Sequence, residues 1–409
     1  MRKILSGRRS KAAGDFVFTI NYSSAQPFVI PLPSGTPTGG GVMGFTVDWG
    51  DGTTPFVVTS ANHGSAQHSY GGASGSYTVK ISGPVRGWSF GANVAAYGAS
   101  AAMMLRITQW GDFRFTNTKA FEGCANMQSI SAADVPWFEQ PNMIGCFKGC
   151  TKMSLISKLN DWNIYGVETL ESFFDGCAAL SIVAGSATPD LSGWDVSAVK
   201  TMRLMFNNAG NWNGRMFKVT AATTSLRGMF QLAQVFNNNG NSDIGNWDTS
   251  KCTDMGFAFS GAKNFNQNIS SWSTNLVTSM QSMFAGNGGV AMAFDQPIGS
   301  WNTASVTNMS NIFTRCDSFN QSLSNWNLNS ISAYNNVFPI LTQSVGSFGL
   351  STSNYDALLV AWDAYSYPSL PANSTFNFGS SQYSLGSAAA TARASLIVKW
   401  GGISDGGGV

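Results

Sequence analysis

Asp48 and Asp51, in the stretch VDWGDGT, come nearest to a local ligand set in this chain. Calcium is held by about six to eight oxygen donors, so two carboxylates in one turn could supply only part of such a site. The alternative is purely structural, with Asp51 and Gly52 forming a tight turn that tolerates positive φ. Proton transfer has few carriers, because His63 and His68 are the only histidines, and His68 is read as a structural hydrogen-bonding residue. No phosphate loop or H-E-x-x-H pair is present. Asp195 and Asp248 each follow a tryptophan, where capping of a turn accounts for them. A glycosidase-type carboxylate pair assembled from distant segments stays open behind this reading. The expectation is a non-enzyme with no catalytic residue, cofactor or metal.

The cysteines follow a pattern that points inward. Cys124, Cys150, Cys177 and Cys316 each stand three residues after a phenylalanine, where similar stretches carry Ala209, Ala233 and Ala262. A site shared by Cys and Ala is small and buried. Zinc would need paired C-x-x-C ligands or histidines, so free thiols filling the core are expected rather than metal ligands or disulfides.

Composition narrows the class. Of 409 residues only 11% are charged and the net charge is +2, so polarity comes from amides and hydroxyls and nothing draws the chain to nucleic acid. The basic residues Arg2, Lys3, Arg8, Arg9 and Lys11 form one N-terminal cluster, read as a flexible arm. The apolar run there is Ile4 and Leu5 alone, short of the roughly 7 to 15 residues of a secretion signal, and no stretch reaches the ~20 that span a bilayer. A soluble product without membrane insertion is expected.

The elements that must position these residues fall into three regions. Between Asp15 and Gly83, the runs FVFTI, FVI, GFTVDW, PFVVT and SYTVKIS alternate or are β-branched, and turn residues separate them, as in the strands of a small sandwich. Trp49 and Tyr77 are its expected core aromatics. A repeat then takes over. FNQNISSW at 265–272 returns as FDQPIGSW at 294–301 and FNQSLSNW at 319–326. Trp194, Trp247, Trp272 and Trp301 are each followed by Met at plus eight and Phe at plus twelve, with degenerate copies at Trp162 and Trp326. A hidden copy runs through SLRGMF at 225–230, and Phe121 and Phe147 carry partial ones. Successive tryptophans lie 25, 29 and 25 residues apart from Trp247 onward, the period of a stacked repeat protein.

Each unit can be folded from its pattern. Phe265, Gln267 and Ile269 share one face of an extended segment and Asn266 and Asn268 the other. Met280, Met283 and Phe284 have the spacing of one helical or 3₁₀ turn. Gln267, Gln296 and Gln321 fall on the inward phase, so they should form an amide ladder between units. Downstream, NYDALLVAW and AAATARASLIVKW read as two amphipathic helices, the first with Tyr355, Leu358, Leu359 and Trp362 on its stripe.

Two resemblances add to this. VDWGDGT with HSYGGASGSYTVKISG resembles a PKD domain, an immunoglobulin-like sandwich. The W-[ND]-x-S-x-V-x-x-M-x-x-M-F repeat resembles the BspA-like leucine-rich-repeat surface proteins of bacteria, whose architecture the QWGD connector and the C-terminal segment also fit. The resulting expectation is a mainly β chain with short helical turns: a basic arm (1–14), a PKD-like immunoglobulin-like β-sandwich (15–85), a connector (86–110), a leucine-rich-repeat-like parallel solenoid (111–345) and a small helical C-terminal cap (346–409). The resemblance implies adhesion. Asn266, Asn268, Asp295, Asn320 and Ser322 are the candidate binding face, suited to a host-surface glycan or protein. With no export signal legible, the leading expectation is a bacteriophage virion protein, a tail-fibre, baseplate or capsid-decoration component contacting other virion proteins. A secreted bacterial surface adhesin is the alternative, and a polysaccharide-degrading enzyme the third reading.

Overall fold

A computed structural model describes residues 14–23, 26–32, 44–59, 66–181, 190–289, 291–331, 349–365 and 376–409. Most of the basic arm, His63, and the Tyr334 and Phe338 that close the last degenerate copy lie outside these residues. The described chain is mainly β, with three α-helices.

The N-terminal runs form strands where alternation places them: β1 (Phe16–Tyr22), β2 (Phe28–Val29), β3 (Phe45–Asp48), β4 (Phe56–Val58), β5 (Gln67–His68) and β6 (Gly75–Ser82). In β1 every second side chain is buried, from Phe16 to Tyr22. β1, β6, β3 and β4 lie side by side in antiparallel order, while β2 and β5 pair separately. Phe18 and Phe28 meet across the two groups with ring centroids 5.8 Å apart, and Trp49 is buried. Tyr77 is only half-buried; the buried tyrosine is Tyr70, on which Tyr77 stacks at 3.8 Å.

The stretch expected as a connector is ordered. It holds helix α1 (Val94–Met103), capped by the Asn93 side chain, and strand β7 (Met104–Gln109). β7 pairs antiparallel with β1 on one side and parallel with β9 (Ser129–Ile130) on the other, and β9 pairs parallel with β11 (Leu155–Ile156). The N-terminal strands and the first repeat units therefore share one seven-stranded sheet. A second parallel pair joins β8 (Arg114–Phe115) to β10 (Trp137–Phe138).

From Asn142 onward the units are joined by single-residue parallel bridges, in the series Asn142, Thr169, Thr201, Ser225, Asp254, Ser279 and Asn308. These residues stand immediately before the repeat Met, or the Leu that replaces it at 170 and 226, so the pairing lies one turn past the tryptophan and not in the extended segment 265–269 where a strand was expected. The reason lies in the hydrogen bonds. Over 265–269 the side-chain pattern alternates as expected, buried at Phe265, Gln267 and Ile269 and exposed at Asn266 and Asn268. The Asn266 N–H, however, is taken at 3.0 Å by the side chain of Asn237 in the preceding unit, which does the work of a backbone ladder.

The segment after each bridge is also not a plain helical turn. Around Phe259 the N–H groups of Met255, Phe257, Phe259 and Gly261 donate to the next unit, at the carbonyls of Ser279, Gln281, Met283 and Ala285. Those of Ala258, Ser260 and Ala262 donate three residues back, and that of Gly256 to Asp254 Oδ1. Every N–H from 255 to 262 is thus satisfied, as a buried backbone requires. The alternation needs a left-handed residue two positions before each repeat phenylalanine. Lys119, Gly145, Ser172, Leu204, Gly228, Phe257, Ser282 and Asn311 all take it, with φ between 51° and 62°. Met280, Met283 and Phe284 are nevertheless buried together, as their spacing predicts.

Aromatic columns fill the interior. Phe121, Phe147, Phe174, Phe206, Phe230, Phe259, Phe284 and Phe313 follow one another with centroids 5.4 to 6.0 Å apart. Phe236, Phe265, Phe294 and Phe319 form a second column 5.9 to 6.1 Å in pitch. At the C-terminal end, α2 (Thr352–Asp363), β12 (Phe376–Asn377), α3 (Ala388–Trp400) and β13 (Ile403–Ser404) pack as one group. Tyr355, Leu358, Leu359 and Trp362 are buried, as their stripe predicts.

Candidate binding face

Three of the five candidate residues are spent on holding units together. Asn213, Asn237, Asn266, Asp295 and Asn320 occupy equivalent places in successive units, and each side-chain oxygen accepts from the next. Asn213 Oδ1 takes the Asn237 N–H at 2.7 Å, Asn266 Oδ1 takes that of Asp295 at 2.9 Å, and Asp295 Oδ1 takes that of Asn320 at 2.9 Å. The glutamines complete the pattern. Gln267, Gln296 and Gln321 donate Nε2 to Asn237, Asn266 and Asp295 at 3.0, 2.8 and 2.8 Å. The expected amide ladder exists, but each glutamine bonds the Asn or Asp of the unit before it and not another glutamine. Its last rung is read by the C-terminal module, where the Ser351 N–H and the Asn354 amide donate to Asn320 Oδ1 at 2.8 and 3.1 Å. Only an acceptor oxygen is required at each rung, which is why a carboxylate serves at Asp295.

Asn268 and Ser322 are placed differently. Both are exposed, and each makes only a local turn, Asn268 Oδ1 with the Ser270 N–H at 3.0 Å and Ser322 Oγ with Ser324 Oγ at 3.1 Å. The acidic residues after tryptophan are turn caps too. Asp195 and Asp248 accept the N–H groups of Ser197 and Ser250, and these bonds hold both carboxyls below their ordinary range.

The tryptophans explain the rest of the repeated octet. Trp272 donates its indole N–H to the carbonyl of Ile244 at 2.8 Å, Trp301 to Ile269 at 3.2 Å and Trp326 to Ile298 at 3.1 Å. The accepting residue stands three positions before the preceding tryptophan, Ile in these units and Leu159 for Trp194.

A family described as "Mycoplasma protein of unknown function, DUF285" matches residues 115–242 and 224–347, more than half of the chain. The chain belongs to the DUF285 family. This is the family of the BspA-like repeat surface proteins, and the matched span coincides with the units described above. No curated protein and no solved structure matches the chain.

In this DUF285 chain the remaining candidates for chemistry are absorbed by the fold. Asp51 accepts from the Thr53 N–H and hydroxyl, at 3.1 and 2.6 Å, and lies 2.7 Å from His68 Nε2, while Asp48 accepts the Gly50 N–H. Burial works against the charge on Asp51, but the Thr53 and His68 bonds outweigh it and bring its pKa to about 2. The close approach behind this turn is why position 50 is glycine: a Cβ there would lie 2.3 Å from the Thr78 carbonyl oxygen. Cys124, Cys146, Cys150, Cys177, Cys252 and Cys316 are free and buried. Burial raises their thiol pKa values, to about 12 at Cys146 and Cys252. Among the described residues no group of three or more His, Cys, Asp or Glu is arranged to hold a metal ion, and no helix is long and apolar enough to cross a membrane.

Proposed function

We propose that this chain is a non-enzymatic adhesive scaffold, in which an immunoglobulin-like, PKD-type sandwich, a parallel solenoid over 111–345 and a helical cap over 346–409 present outward side chains to a protein or glycan on another surface. The observation that carries this reading is the division of labour within each unit. Repeated polar residues such as Asn266, Gln267 and Trp272 are bonded to neighbouring units, whereas Asn268 and Ser322 are exposed with only local bonds. A stack built this way can vary its exterior without disturbing its interior. The unbroken series of bridges and the phenylalanine columns support the solenoid, and the Phe18 to Phe28 contact supports the sandwich.

Family membership favours the surface of a bacterial cell as the setting. The bacteriophage virion, the leading expectation from the sequence, is the second setting, in which the basic arm would attach the chain to the particle. Mass spectrometry of washed cell envelopes and of purified particles separates the two. The binding claim is tested with the full chain on arrays of immobilised glycans and matrix proteins. Asn268→Arg with Ser322→Arg is expected to weaken attachment to matrix proteins about tenfold or more with the melting temperature unchanged. Unchanged attachment would remove this face from the proposal.

A further inference from the structure

On the outer side of β8 and β10 an indole faces water. Trp137 is 38% exposed, while Phe113, Phe115 and Phe138 beside it are buried, as strand alternation requires. Parallel pairing sets Arg114 directly opposite Trp137, with its guanidinium carbon 5.8 Å from the ring centroid. Two residues further along, Glu139 emerges on the same side. Its carboxylate accepts Arg86 Nε at 3.1 Å, Arg86 Nη2 at 3.2 Å and also Arg114 Nη1, while Arg114 Nε donates to Asp112 at 2.8 Å. Arg86 follows Val85, which bridges Phe113 in parallel, so three neighbouring backbone segments build one constellation.

Its chemistry is specific. Burial opposes the charge of Glu139, but the bonds from Arg86 and Arg114 prevail and hold its carboxyl below the usual range. The two arginines and two carboxylates balance, so the patch exerts no net pull on an anion. The mutual ion pairs fix Arg86, Arg114 and Glu139 before any ligand arrives, which lowers the entropic cost of binding. An aromatic face flanked by planar, bidentate donors and acceptors suits a molecule with one apolar face and a rim of hydroxyls. We propose that Trp137, Arg86, Arg114 and Glu139 form a carbohydrate subsite for a neutral pyranose, with the C–H face of the sugar on the indole and its hydroxyls bonded to Glu139 and the arginines. The subsite is separate from Asn268 and Ser322 and goes beyond the scaffold reading.

The test uses the full chain on immobilised oligosaccharides ending in glucose, galactose, mannose or N-acetylglucosamine, beside sialylated and sulfated ones. At least one neutral sugar should retain the chain more strongly than any acidic one. Trp137→Ala and Glu139→Gln should each weaken that binding about tenfold, and Asn268→Arg with Ser322→Arg should leave it unchanged. No retention by neutral sugars, a preference for acidic ones, or equal binding by both variants would overturn the proposal. If Trp137→Ala lowers the melting temperature, Glu139→Gln decides alone, and its unchanged binding counts against the subsite. Protein binding lost only in the Asn268 and Ser322 variant would uphold the scaffold reading whether or not the sugar subsite survives.

Discussion

Asn266 accepts the backbone N–H of Asp295 through its side-chain oxygen at 2.9 Å, so two residues expected to meet a ligand are bonded to each other. The same oxygen takes the Gln296 amide at 2.8 Å. Removing it leaves two donors without a partner, at about 1 to 3 kcal/mol for each that stays out of water. Asn266→Leu should therefore lower stability by roughly 1 to 3 kcal/mol in urea denaturation, and Asn266→Asp by less than about 1, since Asp295 already shows that a carboxylate fills a rung. Equal losses from the two variants would contradict the ladder.

Trp272 is 3% exposed and lies 5.6 Å from Trp247 with rings nearly parallel. Trp272→Ala should cost about 3 to 5 kcal/mol through the cavity it leaves. Trp272→Phe keeps an aromatic ring but gives up the bond to Ile244, so about 1 kcal/mol of its loss belongs to that bond. An alanine cost under about 1 kcal/mol would contradict a buried anchor.

In the C-terminal module, Asp405 joins α2, α3 and the last strand. Its side chain is 2% exposed, and it takes Arg393 through two nitrogens at 2.7 and 3.0 Å and the Tyr355 hydroxyl at 2.7 Å. Asp405→Ala strands a guanidinium and should cost about 3 to 5 kcal/mol by thermal or chemical denaturation.

The same carboxyl and Asp51 both contribute to the acid limb of stability. Burial raises the pKa of each, but hydrogen bonds outweigh it and leave both depressed in the folded state, Asp51 at about 2 against an ordinary 3.8. A depressed carboxyl stabilises above its unfolded pKa and loses that contribution as pH falls through the folded value. The stabilising effect of Asp51 is complete above about pH 4 and fades toward pH 2. Melting curves should show Asp51→Asn converging on the parent as pH drops from 4 to 2, and a constant gap would contradict the assignment.

Buried thiols with raised pKa values are poor nucleophiles. Iodoacetamide should leave the cysteines unmodified in the native protein and label all six after denaturation, as read by intact mass. Native labelling at Cys150 or Cys177 would contradict their burial.

Much of this was legible in the residues. The Trp to Met to Phe spacing located the repeat units, the Cys/Ala exchange located small buried sites, and 3.6-residue periodicity located α2 and α3. Other features were not, each for a physical reason. The left-handed position before each phenylalanine is Gly in two units but Leu204, Phe257 or Ser282 elsewhere, so no residue type announces it. Asn266 and Asn320 read as free because alternation puts them outside, and alternation says nothing about a side chain that folds back along the stack to the next backbone. The pairing of β1 with β7 joins residues some ninety apart, beyond any local pattern.

The division between residues that hold the stack and residues that face a ligand is tested most directly by measuring attachment and melting temperature together, for Asn266→Leu and for Asn268→Arg with Ser322→Arg. The account predicts a crossed result: the first variant melts earlier but still attaches when folded, and the second melts like the parent but attaches about tenfold more weakly. Loss of attachment without loss of stability in Asn266→Leu, with full attachment by the other variant, would contradict it.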